Sequence, residues 1–407
     1  MDAEQIGLCG VTDNPSHTCP NCGVEGMRVV YDAGPVPVRS TAILHTQHEA
    51  LEYPCADLVL AFCSTCGFVS NPIFDPTLAA DAEAREDTQS CSPTFETFAL
   101  ALAQDLVMRH DLRHKRILEI GCGKGEFLTL LCRLGENTGV GYDPAFAPGR
   151  TDTSGVNVTF VTDYFDERYT QDAADFVCCK MTLEHIPAPR RLVGNVHKSL
   201  AGRAQAVVFF QVPDATRIWR EAAFWDAYYE HCSYFCSSAL SSLFRESGFQ
   251  VLRLWRDYAD QYLMIEARPT ARSPDPRSGS HVETEHFEEL QRDVAEFAGR
   301  AHERIRSWRD RLTAYLRQGR RVVLWGGSSK AVSWLNAIGP AAHIDYVVDI
   351  NPYRQGSYIA GTGQLIIAPV VLRELRPSAV LLMNPIYEEE VRSQLAHLGL
   401  SAEIWHP

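Results

Sequence analysis

The sequence predicts an α/β protein in which two doubly wound parallel sheets follow a small metal-binding module. Two observations carry that prediction. Strand-like and helix-like patterns alternate over residues 95–268 and again from residue 320 onward, as parallel sheets covered by helices require. Ahead of them, the first 75 residues hold two C-x-x-C pairs, scattered prolines and short strand-like runs. The expected parts are a module at 1–75, a first α/β domain at 76–268, a linker at 269–283 and a second α/β domain at 284–407. The linker is rich in Pro, Ser, Gly and Arg, which disfavours regular structure. Beyond it, Phe287, Leu290, Val294, Phe297, Ala301, Ile305 and Trp308 recur near the helical period, so a long helix is expected over 283–318.

The 407 residues suffice for two or three domains with substantial cores. A formal charge of −13 argues against a nucleic-acid partner, whose footprint is basic. It also repels phosphate at long range, so a phosphorylated ligand must be captured by local donors. No run of about 18 uncharged apolar residues is present, which argues against a membrane partner. The N-terminal stretch has no basic patch followed by an apolar core, and the 13 cysteines are odd in number. Together these point to reduced thiols and a cytoplasmic location.

Cys19 and Cys22 frame C-P-N-C, Cys63 and Cys66 frame C-S-T-C, and Gly23 or Gly67 follows each pair. A glycine there suits a tight knuckle whose N–H groups face a thiolate. Two knuckles supply four sulfurs, which matches a closed, structural Zn²⁺ site. The 40 residues between the pairs leave room for a small sheet, with runs at 27–31 and 58–62 as its strands. His17, beside the first pair, reads as a surface residue.

Residues 116–120 form a short apolar strand that contains Glu119. G-C-G-K-G follows at 121–125, then a helix-like stretch at 126–134. Glycines at a strand-to-helix turn let backbone approach a ligand closely. The dinucleotide spacing G-x-G-x-x-G is absent, and E-x-G-x-G-x-G stands in its place. The next strand, 139–143, ends in Asp143, where an acid accepts ribose hydroxyls. The third, 158–163, ends in Asp163, suited to an adenine amino group, and the fourth, 174–180, ends in Lys180. This unit resembles class I S-adenosylmethionine (SAM)-dependent methyltransferases. The resemblance implies a SAM site formed by Glu119, Gly121, Gly123, Asp143, Asp163 and Lys180.

L-E-H-I-P-A-P at 183–189 follows the fourth strand, and Y-Y-E-H-C-S-Y-F at 228–235 follows the fifth, 206–212. Each sets a His beside a Glu on a loop above the sheet, and His takes up protons near neutral pH. Further on, a strand at 322–325 runs into G-G-S-S-K at 326–330 and a helix to 338. Such a turn presents N–H groups and hydroxyls to an anion, which makes Ser329 and Lys330 candidate substrate ligands. A strand at 346–349 leads into D-I-N-P-Y-R-Q-G-S-Y, where Arg354 is placed to grip a phosphate. Another strand, 379–383, ends at Asn384 and Pro385.

Over nearly its whole length the chain resembles bacterial sugar C-methyltransferases, which methylate C3 of deoxythymidine-diphosphate-linked 4-keto-deoxysugars. The two His loops, the Cys pairs and the G-x-x-S-K and D-x-N-P-x-x-Q-G-x-Y segments carry the resemblance. It implies His231 as the base that removes the proton next to the ketone, with Tyr228, Glu230 and His185 lining the same pocket. It also implies a C-terminal Rossmann-like domain that holds the nucleotide-sugar. Two segments depart from the family pattern. Residues 75–98 contain no Tyr where the family is Tyr-rich, and M-N-P-I-Y at 383–387 lacks the usual aromatic-rich form. The expected activity is SAM-dependent methylation of carbon alpha to a ketone in a nucleotide-linked sugar. The alternative is O- or N-methylation of a modified sugar or other small metabolite in secondary metabolism.

Overall fold

The computed structural model describes residues 17–79, 85–270 and 284–407. The N-terminal module is an antiparallel sheet in which β1 (His17–Thr18), β2 (Glu25–Pro37), β3 (Cys55–Phe62) and β4 (Val69–Ser70) lie in that order. The two runs expected as strands fall in β2 and β3. A fifth strand, Ser233–Tyr234, completes this sheet from far along the chain, pairing Ser233 with Ser70 and Tyr234 with Val69. The module and the first α/β domain therefore share a sheet.

That domain is built on β5 (Arg116–Ile120), β6 (Thr138–Tyr142), β7 (Asn157–Val161), β8 (Phe176–Lys180), β9 (Val207–Pro213), β11 (Phe249–Asp257) and β12 (Tyr262–Pro269), with Ser233–Tyr234 as β10. The order is β11-β12-β9-β8-β5-β6-β7, with β12 antiparallel to both neighbours. The central strands F-V-C-C-K and V-V-F-F-Q-V-P are buried along almost their whole length. Strands covered on both faces need such continuous apolar runs. Strand order reverses at β5, so a crevice opens at its carboxyl end.

The C-terminal sheet contains β13 (Val322–Trp325), β14 (Tyr346–Val348), β15 (Leu365–Ile367), β16 (Ala379–Leu382) and β17 (Glu403–Trp405). Its order is β15-β14-β13-β16-β17, all parallel, and its own reversal lies at β13.

One helix, Thr284–Leu316, joins the three parts. It buries Leu290, Val294, Phe297, Ala301, Ile305, Trp308, Leu312 and Tyr315, spaced by three and four residues as one helical face requires. Phe297 meets Tyr31 of β2 and Trp219 of the first α/β domain, each with ring centroids 4.9 Å apart. Trp308 meets Trp334 beside the C-terminal sheet at 5.8 Å. The expected linker falls outside the described residues from 271 to 283, as does the N-terminal stretch 1–16. Among the described residues, no helix is long and apolar enough to cross a membrane.

Candidate active site

Both reversal points open onto one cavity of about 1110 Å³. All the cofactor, catalytic and substrate residues expected from the sequence line it. The turn after β5 explains its glycines. Gly121 and Gly125 have φ of 69° and 82°, and a Cβ would fall 2.0 Å from the Thr182 hydroxyl or 2.4 Å from the Phe160 ring. Gly123, at φ 55°, has nothing within 4 Å of where its Cβ would stand, so bare backbone faces open space.

Asp143 ties this turn to β6. Its Oδ2 accepts the Gly123 N–H at 2.9 Å and its Oδ1 the Ala145 N–H at 2.7 Å. Burial pushes the carboxyl up, opposed by Arg85, whose Nη2 lies 3.3 Å from Oδ1. Glu119 is 2% exposed, and among the described residues its Oε2 has no hydrogen-bond partner. Burial pushes its carboxyl up to about 7 while Lys180 pulls it back. The Lys180 ammonium rests 3.5 Å from the centre of the Phe127 ring. Asp163 differs: Arg168 and the Tyr169 hydroxyl bond it and hold it below its ordinary range. Bare backbone at the turn, an orphaned buried carboxyl oxygen beneath it and an acid at the next strand end fit an adenosyl donor with an amino-acid tail.

Across the cavity, His185 and His231 stand edge to face with ring centroids 4.7 Å apart. His185 Nδ1 lies 3.0 Å from the Glu230 carbonyl oxygen, so donation there leaves Nε2 as the acceptor. One side of His185 is open to the cavity while protein surrounds the rest, and this burial pushes the imidazole down to about 4. Burial, then His185, holds His231 well below its ordinary range, which keeps it neutral at pH 7. Tyr228 lies edge to face with His231 at 4.6 Å. A neutral imidazole facing a cavity is the form a general base needs. Glu184, His185 and His231 also bring a carboxyl oxygen and two ring nitrogens within 4.8 Å of one another. The Glu184 carboxyl, 1% exposed and without a hydrogen-bond partner among the described residues, is pushed by burial up to about 8.

The other expected residues are engaged elsewhere to different degrees. Glu230 Oε1 accepts the Ser40 N–H at 2.8 Å and the Ser40 hydroxyl, which ties the His231 loop to the N-terminal module. Ser329 starts the helix Ser329–Ile338 at the cavity wall. The Lys330 ammonium bonds Asp226. Arg354 is 3% exposed, donating from Nη1 to the Gly327 carbonyl at 2.9 Å and from Nη2 to the Glu86 carbonyl. Arg354 thereby clamps the strap 85–92 onto the C-terminal sheet while still lining the cavity. That strap lies within residues 75–98, which contain no Tyr. It brings Gln89, whose Oε1 accepts the Tyr262 and Tyr387 hydroxyls at 3.3 and 3.2 Å. Sequence reasoning missed Arg85, Gln89 and Asp226, and only the nearness of Asp226 to Tyr228 in the chain was a signal.

The four knuckle cysteines converge away from this cavity. Cys19 Sγ lies 3.8 Å from Cys66 Sγ, and Cys22 Sγ lies 3.6 Å from Cys63 Sγ. Tetrahedral zinc with bonds of about 2.3 Å sets its sulfurs about 3.8 Å apart, so the cysteines fit that ion. The Ser238 hydroxyl donates to the Cys66 carbonyl at 2.9 Å, packing the knuckle against the helix Ser237–Glu246.

A family profile described as "Methyltransferase domain" matches residues 95–254, and one described as "C-methyltransferase C-terminal domain" matches residues 262–402. The chain is a SAM-dependent methyltransferase. Among curated proteins, the methyltransferase is 26% identical to the C-methyltransferase NovU of Streptomyces niveus over 289 residues, covering 68% of this chain and 67% of that one. It is 38% identical to a ubiquinone biosynthesis O-methyltransferase of Cronobacter sakazakii over 85 residues, 19% of this chain and 35% of that one. Among solved structures it is similar to magnesium protoporphyrin IX methyltransferase of Synechocystis, with 16% identity and a TM-score of 0.35 over 44% of this chain and 84% of that one.

Proposed function

We propose that this methyltransferase methylates a carbon alpha to a ketone in a nucleotide-linked deoxysugar, with His231 as the base. The observation that carries the reading is the neutral, edge-to-face His185–His231 pair in the same cavity as the glycine turn. The C-methyltransferase C-terminal domain and the likeness to NovU support carbon as the accepting atom.

Bound SAM supplies an electrophilic sulfonium methyl. Gly121 and Gly123 line its groove with backbone, Asp143 takes the ribose hydroxyls, and Asp163 meets the adenine. Glu119 and Lys180 face the amino-acid end. His231 takes the proton alpha to the ketone, and the C–H electron pair passes into the enolate, whose carbon would take the methyl as the C–S bond breaks and its electron pair stays on the sulfur of the departing thioether. His185 and Tyr228 hold the imidazole by packing against it. Ser329 and Lys330 face the acceptor's anionic end at the helix N-terminus, where backbone N–H groups favour negative charge. The cysteine site holds zinc as a structural ion, bracing the helix that follows the His231 loop. A second reading, O- or N-methylation, draws on the short match to an O-methyltransferase, which is higher in identity but covers only 19% of this chain, and would use the same base.

His231→Ala should lower methyl transfer about 100- to 10,000-fold. It should leave SAM affinity, read by calorimetry, unchanged. Wild-type enzyme should also exchange the acceptor's alpha hydrogen in D₂O. A fully active His231→Ala enzyme would refute the base, and methylation without such exchange would favour heteroatom transfer.

A further inference from the structure

Asp226 ends the short turn Phe224–Asp226 and is 6% exposed. Three elements meet on its carboxylate. Tyr228 donates its hydroxyl proton to Oδ1 at 2.8 Å, and Lys330 of the C-terminal domain bonds the same oxygen. Arg217, from the helix Ala215–Arg220, bonds Oδ2. Close by, the Ser333 hydroxyl donates to the Ala227 carbonyl at 2.8 Å, so a second bond joins this loop to the helix Ser329–Ile338. Burial opposes a charge here, but Lys330 and Arg217 override it and hold the carboxyl well below its ordinary range. Asp226 therefore stays ionised, and a buried carboxylate with two cations and a phenol has little freedom to move.

The consequence runs through Tyr228. Its proton is committed to Asp226, so the phenol is held in one orientation, with its ring edge to face with His231. We propose that Asp226 is a positioning residue for the methyl acceptor's pocket: it fixes Tyr228 against His231 and joins that loop to Lys330, so the base is aimed only when the C-terminal domain is docked. The inference rests on the reading of His231 as base. The groups facing His231 are His185 and Glu184 from the loop after β8, Tyr228 from its own loop, Tyr234 of β10, Asp226, and Lys330 from the C-terminal helix, while the neighbouring Glu230 carboxylate is turned to Ser40. Of these, Asp226 strengthens the imidazole's hold on a proton, while Lys330 and His185 weaken it.

The test compares Asp226→Asn and Lys330→Met in the full chain, with a thymidine-diphosphate 4-keto-6-deoxyhexose as acceptor probe. Asp226→Asn should lower kcat about 10- to 100-fold, with a smaller change in KM, because a small misplacement costs rate more than binding. SAM affinity should not change. The acid limb of the kcat profile should move to lower pH in Asp226→Asn and to higher pH in Lys330→Met, since opposite charges are removed from around one imidazole. Backbone amides of 226–231 and 329–338 should exchange faster together in both variants. If Asp226→Asn fails to fold, Lys330→Met still carries the pH profile, with its shift upward, and the amide exchange. Coincident pH profiles, or amide protection unchanged in both segments, would overturn the role of Asp226. If wild-type enzyme binds SAM but neither exchanges nor methylates the probe, the acceptor assignment fails instead, and amide exchange alone decides Asp226.

Discussion

The crevice at the Gly121 turn and the crevice at the Gly326 turn are assembled from the same parts. In each, a parallel strand runs into a glycine turn whose N–H donates to an acid at the end of the neighbouring strand. Gly123 donates to Asp143 at 2.9 Å, and Gly327 to Asp349 at 2.8 Å. Each acid also accepts the N–H two residues on, from Ala145 at 2.7 Å and from Asn351 at 2.8 Å. Each is pushed up by burial and pulled back first by an arginine. The difference lies in that arginine. Arg354 is buried and bonded to two carbonyls. Arg85 is 23% exposed in its side chain and reaches Asp143 from the strap across 3.3 Å. One backbone device thus carries a part-exposed counter-charge in the first crevice and a buried, doubly bonded one in the second.

The largest effect should come from the clamp. Arg354→Met should destabilise the fold by about 3–5 kcal/mol, because it strands a buried acid and two buried carbonyls. Denaturant midpoints measure this, and an equal loss from Arg85→Met would erase the contrast. Next, Asp143→Asn should weaken SAM binding by about 1.5–3 kcal/mol, the worth of charge-assisted hydrogen bonds, while Asp349→Asn should not. Calorimetry with SAM separates the two, and matched losses would mean that both crevices take the donor. Arg85→Met should cost less stability than Arg354→Met, because it strands one buried acid and no buried carbonyls, and it should tighten SAM binding by freeing Asp143.

A smaller contrast concerns the loops after β8 and β16, which flank the two reversal points. The first carries Glu184 and the second carries Asn384, which has no charge to titrate. Glu184 is held near 8 in the folded chain against an ordinary value of 4.5. Stability tied to its neutral form is therefore complete below pH 4.5 and is lost as pH rises through 8. The thermal midpoint of the wild type should fall over that window, and Glu184→Gln should fall less. Parallel curves would show that Glu184 ionises without cost.

The parts of this comparison were unequally legible. The glycine turn and Asp143 could be read directly, because φ above zero and a strand-end acid leave local traces in the residue types. The Gly326 turn was legible as a turn, but the commitment of Arg354 was not. Its partner Glu86 lies 268 positions away, and no local pattern reports such a pairing. Likewise the knuckle pairs predicted a four-sulfur site, yet nothing in 228–235 announced that Ser233 and Tyr234 would complete the knuckle's sheet.

By itself the sequence determined the features fixed within one turn or strand: the two glycine crevices, the cysteine knuckles, the apolar face of the long helix and the two histidine loops. Backbone torsion limits and the periods of helix and strand act over a few residues, so residue order alone reveals them. Only the tertiary structure decided which charges met. Lys330 reached Asp226 across 104 positions, and Arg85 reached Asp143 across 58. Those pairings follow from how three sheets pack on one helix, which no local run of residues records.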